Sequence, residues 1–268
     1  MAKMRLDLLL VEQGHFESRA QAQAVIMSGV VFLDGKRLDK PGTLVPETAA
    51  PEVRGEPMPY VSRGGRKLEK ALASFGIDPS GKVCIDCGAS TGGFTDCLLQ
   101  HGARSVYAVD VGYGQLDWRL RQDERVIVLE RTNVRHLTPD ALLVGGAVRS
   151  VPELAVIDLS FISLRLVLPA VYGVLTEDGE AVCLIKPQFE AGKEQVGKKG
   201  VVRDPAVHRE VLEQFLQDAE AAGFGVEALD FSPIKGPEGN REYLGYLKKD
   251  KPNKPDLDIE AVVEASHL

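Results

Sequence analysis

The sequence predicts a doubly wound, mostly parallel α/β sheet with an antiparallel last strand, preceded by a small α+β domain. Three observations predict it. From Val61 onward, Val- and Ile-rich runs alternate with helical stretches, as in sheets covered by helices on both faces. The final two apolar runs, 226–233 and 243–249, are joined by the nine residues IKGPEGNRE, too few for a parallel crossover, so they pair antiparallel. Before Val61 the pattern differs, with two short helices, one hairpin signal and a segment holding five prolines.

Each element has a local cause. Residues 4–13 put Leu6, Leu9 and Leu10 on one helical face, which Gly14 ends. Ser18 is a good N-cap for a second helix running to Gly29. VVFLDGKRL reads as strand, turn and strand around Asp34-Gly35, and the Pro-rich stretch to residue 59 as short strands and a linker. Then come helix 63–75, strand 82–88, a helix opening at Gly93, strand 105–112, a short helix and strand 126–132. Strand 154–160, helix 163–175, strand 180–187 and a long helix over 205–222 lead to the antiparallel pair. The expected organisation is 1–59, 60–249 and a polar tail over 250–268.

Composition narrows the class. The chain has 268 residues, 44% hydrophobic and 26% charged, which supports a packed core and excludes wholesale disorder. No apolar run approaches the roughly 18 residues of a membrane span, and Asp7 and Glu12 break any signal-peptide reading of the start. Four cysteines without a disulfide framework suit a reducing cytoplasm. Net charge is −7, but residues 1–70 carry 11 basic and 9 acidic residues, whereas the remainder carries 21 and 30. Contact with nucleic acid must therefore come from local patches. Basic clusters stand at Arg63, Arg66, Lys67 and Lys70, and at Lys193, Lys198, Lys199 and Arg203.

The run Asp86-Cys87-Gly88-Ala89-Ser90-Thr91-Gly92-Gly93-Phe94 joins a strand to a helix, where glycines let backbone approach a ligand and the helix start offers free N–H groups. Its glycine spacing is not that of the dinucleotide fingerprint. Asp110 ends the next strand, where a carboxylate can take a ribose diol. Together these favour an adenosine-type cofactor. Two acids suit S-adenosyl-L-methionine, with its ammonium and sulfonium, better than a pyrophosphate. Asp158 and Lys186 each end an apolar strand, and the hairpin argument brings Glu242 to the same rim, where open α/β sheets bind ligands. Charged residues commonly end strands, but three at one rim point to chemistry, and such a lysine can accept or steer a hydroxyl proton. Cys84-x-x-Cys87 lies within a buried strand and has no second pair, so packing is the better reading. The five histidines lack ligand spacing, and no metal is expected. Packing near the cofactor is expected of Trp118.

RLDLLLVEQG…SRAQAQAVIMSGVVFLDGK…KPG resembles the RNA-binding module named after small-subunit ribosomal protein S-four. VSRGGRKL, DCGASTGGFTD, DVGYGQL, DLSFIS, IKPQFEAGK and GNREY are similar to the TlyA family of rRNA ribose methyltransferases, whose catalytic half is FtsJ-like. The resemblance covers residues 4–248, and members often carry the label hemolysin A. It implies a Rossmann-like methyltransferase sheet and a catalytic Lys67, Asp158, Lys186, Glu242 set. By resemblance Asp86, Gly88, Ser90, Thr91, Gly92, Gly93 and Phe94 hold the methionine end of the cofactor, Asp110 its ribose, and Asn133 stands where adenine is read. It further implies attack of a ribose 2′-hydroxyl, of cytidine, on the methyl of S-adenosyl-L-methionine, with rRNA in ribosomal subunits as partner. By the same resemblance Lys186 deprotonates or steers the hydroxyl, Asp158 orients that lysine and the methyl donor, and Lys67 and Glu242 hold the ribose and tune charge. Arg5, Arg19, Lys36, Arg37, Arg63 and Arg66 are the RNA-binding candidates. The Gly-rich basic segment 191–204 either closes over substrate or simply connects two elements. A membrane-active protein and a non-catalytic RNA-binding assembly factor are the competing classes; neither needs the rim residues or the cofactor loop.

Overall fold

A computed structural model describes residues 2–16, 18–27, 29–54, 59–144, 147–148, 150–236 and 238–268. The chain forms two compact units, Met1–Arg63 and Gly64–Leu268.

The first unit runs β1 (Lys3–Arg5), α1 (Leu6–Glu12), α2 (Arg19–Met27), β2 (Val31–Leu33), β3 (Lys36–Leu38), β4 (Leu44–Pro46) and β5 (Glu52–Val53). The helix expected from residue 4 starts at Leu6, because Lys3–Arg5 pair antiparallel with Leu44–Pro46. Leu6, Leu9 and Leu10 meet Ala22, Val25, Ile26, Val31 and Val45 in one core. Ser18 caps α2, its Oγ accepting from Gln21 N at 3.3 Å. The Asp34-Gly35 turn joins β2 to β3, and β5 completes a three-stranded sheet. Residues 55–58 of the expected linker lie outside the described residues.

The second unit runs α3 (Gly64–Phe75), β6 (Val83–Cys87), α4 (Gly93–Gln100), β7 (Ser105–Val109), α5 (Trp118–Gln122) and β8 (Val126–Leu129). A small ribbon, β9 (Leu143–Val144) and β10 (Ala147–Val148), precedes β11 (Leu154–Ile157), α6 (Leu168–Val174) and β12 (Glu180–Ile185). Then follow α7 (Pro187–Glu190), α8 (Pro205–Ala221), β13 (Phe224–Phe231), β14 (Tyr243–Lys249) and α9 (Ile259–His267). The seven-stranded sheet has the order β13-β14-β12-β11-β6-β7-β8. Strands β12, β11, β6, β7 and β8 are parallel; β14 is antiparallel to β13, as the short connection required, and also to β12.

Every residue of β6 and β11 is buried, and the sheet packs Ile85, Val109 and Ile157 against Leu168, Val171, Leu212 and Phe215. Each such side chain contributes roughly 1.5–3 kcal/mol by leaving water. Several strands stop two or three residues before the expected boundary, at Val109, Leu129, Ile157 and Ile185. Beyond the last ladder pair, the chain turns outward at the rim, and these residues serve loops.

Two expectations are corrected. The expected helix 163–175 is a 3₁₀ turn over Leu164–Leu166, capped by Ser163, followed by α6. The expected polar tail carries α9, capped by Asp258, with Val263 buried against the main core. Its apolar stripe begins only after a polar, Pro-containing stretch, which hides it from a composition-based reading. Among the described residues, no helix is long and apolar enough to cross a membrane.

Candidate active site

The carboxyl ends of the parallel strands lie along one rim, and a polar residue follows four of them directly: Asp110 after β7, Glu130 after β8, Asp158 after β11 and Lys186 after β12. Strand β14 runs the other way, with Tyr243 paired to Ile185, so Glu242 reaches the rim from the start of its strand. Lys67 arrives from the first turn of α3.

The structure brings four of these side chains together as an alternating row of charges. Lys186 Nζ lies 2.6 Å from Asp158 Oδ1 and donates to Ser160 Oγ at 3.0 Å. Asp158 Oδ2 lies 3.8 Å from Lys67 Nζ, which donates to Glu242 Oε2 at 2.6 Å. Lys67, Lys186 and Glu242 are buried. Removing one member of such a buried set leaves a charge without its counterpart, typically at a cost of about 3–5 kcal/mol. The row therefore holds two ammonium groups in fixed directions at the mouth of the sheet. Sequence reasoning misses Ser160, which only its hydroxyl on Lys186 marks out.

The cofactor loop sits at the neighbouring strand end. Gly88 and Gly92 have φ of +95° and +98°; a Cβ on Gly88 would lie 2.5 Å from the backbone oxygen of Asp158, and one on Gly92 2.2 Å from a methyl of Leu120. Both positive φ values favour glycine, and at Gly88 the backbone oxygen of Asp158 leaves no room for a side chain, which keeps the loop close to the rim. Asp86 is fully buried within β6: its Oδ2 accepts from Thr95 Oγ1 at 2.6 Å, while Oδ1 has no protein partner. Burial above all, with Asp158 and Asp110 nearby and against the Thr95 bond, pushes its carboxyl up to about 7. An orphaned carboxylate oxygen beside a glycine cradle fits a ligand carrying an ammonium group. Thr95 is a second residue that sequence reasoning misses.

Other expected cofactor residues show more detail. Asp110 accepts from Ser90 N at 2.8 Å and Gly112 N at 2.6 Å, so it ties two loops together while keeping lone pairs for a diol. Ser90 adopts a positive φ of 48° and Thr91 is exposed. Gly93 opens α4, and Phe94 is buried in its first turn. Asn133 is exposed and caps the turn Val134–His136, its Oδ1 accepting from Arg135 N at 3.0 Å. Glu130, not anticipated, accepts from Gly114 N and pairs with Arg121, holding the loop that follows β7. Trp118, expected to pack near the cofactor, is 68% exposed, because it stands on the outer face of a one-turn helix. Phe161 is 91% exposed with a positive φ of 64°, and its ring lies 5.1 Å from that of Phe189.

The RNA-binding candidates of the first unit divide. Arg5 grips the buried carboxylate of Asp7 through two nitrogens, and Arg19 and Gln23 bind the same group. These contacts, the Arg5 bond foremost, hold Asp7 well below the usual carboxylate range. Arg5 and Arg19 thus have a structural task beyond that of solvated surface charges, although 40% and 51% of their side chains remain exposed. Lys36 and Arg37 are exposed on β3, with Arg37 3.7 Å from Asp39. Arg63 and Arg66 are exposed, Arg66 on α3 beside Lys67 in sequence. Cys84 and Cys87 are free and buried, and burial pushes the Cys84 thiol up to about 12, which suits packing.

Comparisons with known proteins identify the family. An FtsJ-like methyltransferase model matches residues 60–249, and an S4 domain model matches residues 4–49. The 16S/23S rRNA (cytidine-2′-O)-methyltransferase TlyA of Mycobacterium tuberculosis is 48% identical over 92% of this chain and 90% of its own. A protein of Brachyspira hyodysenteriae named Hemolysin A is 41% identical over 91% of this chain and 99% of its own. A solved structure from Streptococcus thermophilus, also bearing a hemolysin name, is 48% identical, covers 100% of this chain and 96% of that one, and superposes with a TM-score of 0.79. With these matches spanning both units, the chain belongs to the FtsJ-like methyltransferases, in the TlyA group that carries an S4 domain ahead of the methyltransferase domain.

Proposed function

We propose that this enzyme methylates ribose 2′-hydroxyls of ribosomal RNA, at cytidine, on ribosomal subunits in the cytoplasm, with S-adenosyl-L-methionine as donor. The observation that carries the reading is the Lys186–Asp158–Lys67–Glu242 row beside a glycine loop with an orphaned carboxylate oxygen. The TlyA relatives of Mycobacterium tuberculosis and Campylobacter jejuni are named for this methylation.

When bound, the donor supplies an electrophilic methyl on a sulfonium, a good leaving group. Asp86 Oδ1 would take its ammonium, Asp110 its ribose diol, and the backbone of Gly88 to Gly93 its methionine chain. The residues of the row do the remaining work. Lys186 Nζ, aimed by Asp158 and Ser160, steers the 2′-hydroxyl by hydrogen bonding as the ammonium or, as the neutral amine, takes its proton while the oxygen bonds the methyl and the methyl–sulfur bond breaks. Lys67 and Glu242 hold the ribose. With so good a leaving group, orientation supplies much of the rate, and well-placed pairs gain about 7–11 kcal/mol. Transfer of labelled methyl to unmodified subunits, followed by nucleoside analysis, tests the reading; 2′-O-methylcytidine is expected, and label on a base or on protein would refute it.

Phe161 is assigned to the base of the target or its neighbour, because an exposed ring held in strained backbone needs a purpose. Stacking on an aromatic ring is worth about 1–3 kcal/mol per base. Phe161→Ala is therefore expected to weaken subunit binding by about 5- to 150-fold, with donor affinity unchanged. Direct binding titrations check this, and wild-type binding by the variant would remove the assignment.

Asp86 gives donor binding a pH dependence. The ammonium needs the ionised carboxyl, so below about pH 7 binding must expel a proton. The dissociation constant is expected to rise by up to about tenfold per pH unit as pH falls below 7, and to level off above it. The same proton acts on folding in the opposite sense. The folded chain keeps it up to about pH 7, the unfolded chain loses it near 4, so this group lowers stability as pH rises across that window. Calorimetric titration at several pH values measures the effect. A flat profile in the wild type, or a sloping one in Asp86→Asn, would contradict it.

A further inference from the structure

The basic segment after Lys186 is pinned at its base and displayed at its tip. Gly197 N donates to Val201 O at 3.1 Å, closing a five-residue loop whose tip carries Lys198 and Lys199. Both lysines are exposed, and Lys199 holds a positive φ of 65°. Among the described residues neither makes an ion pair. The base of the loop is buried through Val201 and Val202.

What fixes that base is Asn240. This side chain is 3% exposed, and both its polar atoms go to the loop: Nδ2 donates to Gly200 O at 2.8 Å, and Oδ1 accepts from Val202 N at 3.0 Å. It acts as a short piece of strand ladder. His208 holds the same base from α8, its Nε2 lying 3.1 Å from Val202 O, and its Nδ1 lies 2.7 Å from Tyr243 Oη. Asn240 also anchors the hairpin turn, its backbone oxygen accepting from Gly236 N at 2.9 Å. Asn240 stands two residues before Glu242, and Tyr243 directly after it, so the pinned loop is continuous with the end of the charge row.

We propose that Asn240 is a positioning residue that locks the loop Gly197–Arg203 to the start of the last strand, so that Lys198 and Lys199 grip the phosphodiester backbone of the RNA whose ribose reaches Glu242. The partner chemistry follows from charge. The chain as a whole is acidic at −7, whereas residues 193–203 hold Lys193, Lys198, Lys199 and Arg203 against one acid, Glu194. A polyanion therefore finds its foothold locally. The inference rests on the RNA-ribose reading of the site.

The test uses the full chain, its double variant Lys198→Ala/Lys199→Ala, and Asn240→Ala, with folding checked by thermal melting and donor binding. Binding of unmodified ribosomal subunits is measured by filter retention over a series of salt concentrations, and methyl transfer by steady-state kinetics. The double variant is expected to raise KM for subunits roughly tenfold and to flatten the plot of log affinity against log salt by about 2, near 1 per lysine. Asn240→Ala should raise KM and flatten the plot as well, although both lysines remain; a merely structural residue would leave the slope unchanged. Wild-type KM and slope in the double variant would overturn the loop's role. A fall in kcat at wild-type KM and slope in Asn240→Ala would overturn the positioning role and tie that residue to Glu242 instead. Failure of the underlying reading looks different: the wild type itself would then transfer no methyl to ribose, whatever the binding slopes.

Discussion

Lys186→Ala is expected to lower methyl transfer by about 10³–10⁴-fold, the upper range for losing a positioned proton-transfer group, while the dissociation constant of the donor stays within about threefold. The asymmetry follows from the contacts of this side chain. Its ammonium touches Asp158 and Ser160, and none of the residues of the glycine loop. After truncation, Asp158 still faces Lys67 at 3.8 Å, so the row keeps one partner for that carboxylate. Single-turnover transfer of labelled methyl gives the rate, and calorimetry the donor affinity. Loss of donor binding in this variant, or retention of full transfer, would remove Lys186 from the chemistry.

Gly88→Ala is the second large effect, and it arises from backbone. The φ of +95° disfavours any side chain, at about 1–2 kcal/mol. The new methyl would also meet the carbonyl oxygen of Asp158 at 2.5 Å, and the adjoining Leu159 side chain at 3.0 Å. A backbone oxygen at the end of a paired strand cannot swing aside as a side chain can, and overpacking of this kind costs a further 1–3 kcal/mol or so. The substitution should lower the melting temperature and abolish donor binding and transfer together, since relief requires moving Asp158. Gly92→Ala is a natural control. Its clash is with the side chains of Leu120 and Leu116, which can shift, so a milder loss is expected. A Gly88→Ala chain with wild-type melting and transfer would mean that the loop and the Asp158 strand end are not packed as described.

The sheet is legible in the sequence because its strands are continuous apolar runs and because nine residues between the last two exclude a crossover. That same argument brings Asp158, Lys186 and Glu242 to one rim from residue order and connection length alone. Lys67 is legible through family resemblance only. It sits in a helix with no strand to aim it, and its partner Glu242 lies 175 residues away. Asp7 escapes notice because a charged residue near a surface helix start looks solvated, yet Arg5, Arg19 and Gln23 let it be buried. His208 and His267 have no ligand spacing in sequence, but α8 and α9 bring their rings to 5.1 Å. Phe161 leaves a faint sign, a large aromatic ring in a polar rim motif, whose meaning depends on an exposure that sequence does not give.

The sheet order carries a consequence for how the enzyme comes into being. Strand β14 lies between β12 and β13, and β13 pairs with no other strand, so the last of the seven strands to be made is the one that joins the edge strand to the rest of the sheet. While the chain is still being translated, Lys67, Asp158 and Lys186 have already emerged, and the residue that completes their row has not. With Glu242 proposed to help hold the ribose, catalytic competence is deferred until that strand has been made, and an unfinished copy carries three of the four charges. On the proposed reading, the machine that builds this chain is of the kind it modifies, and the late strand keeps an unfinished enzyme from acting on it.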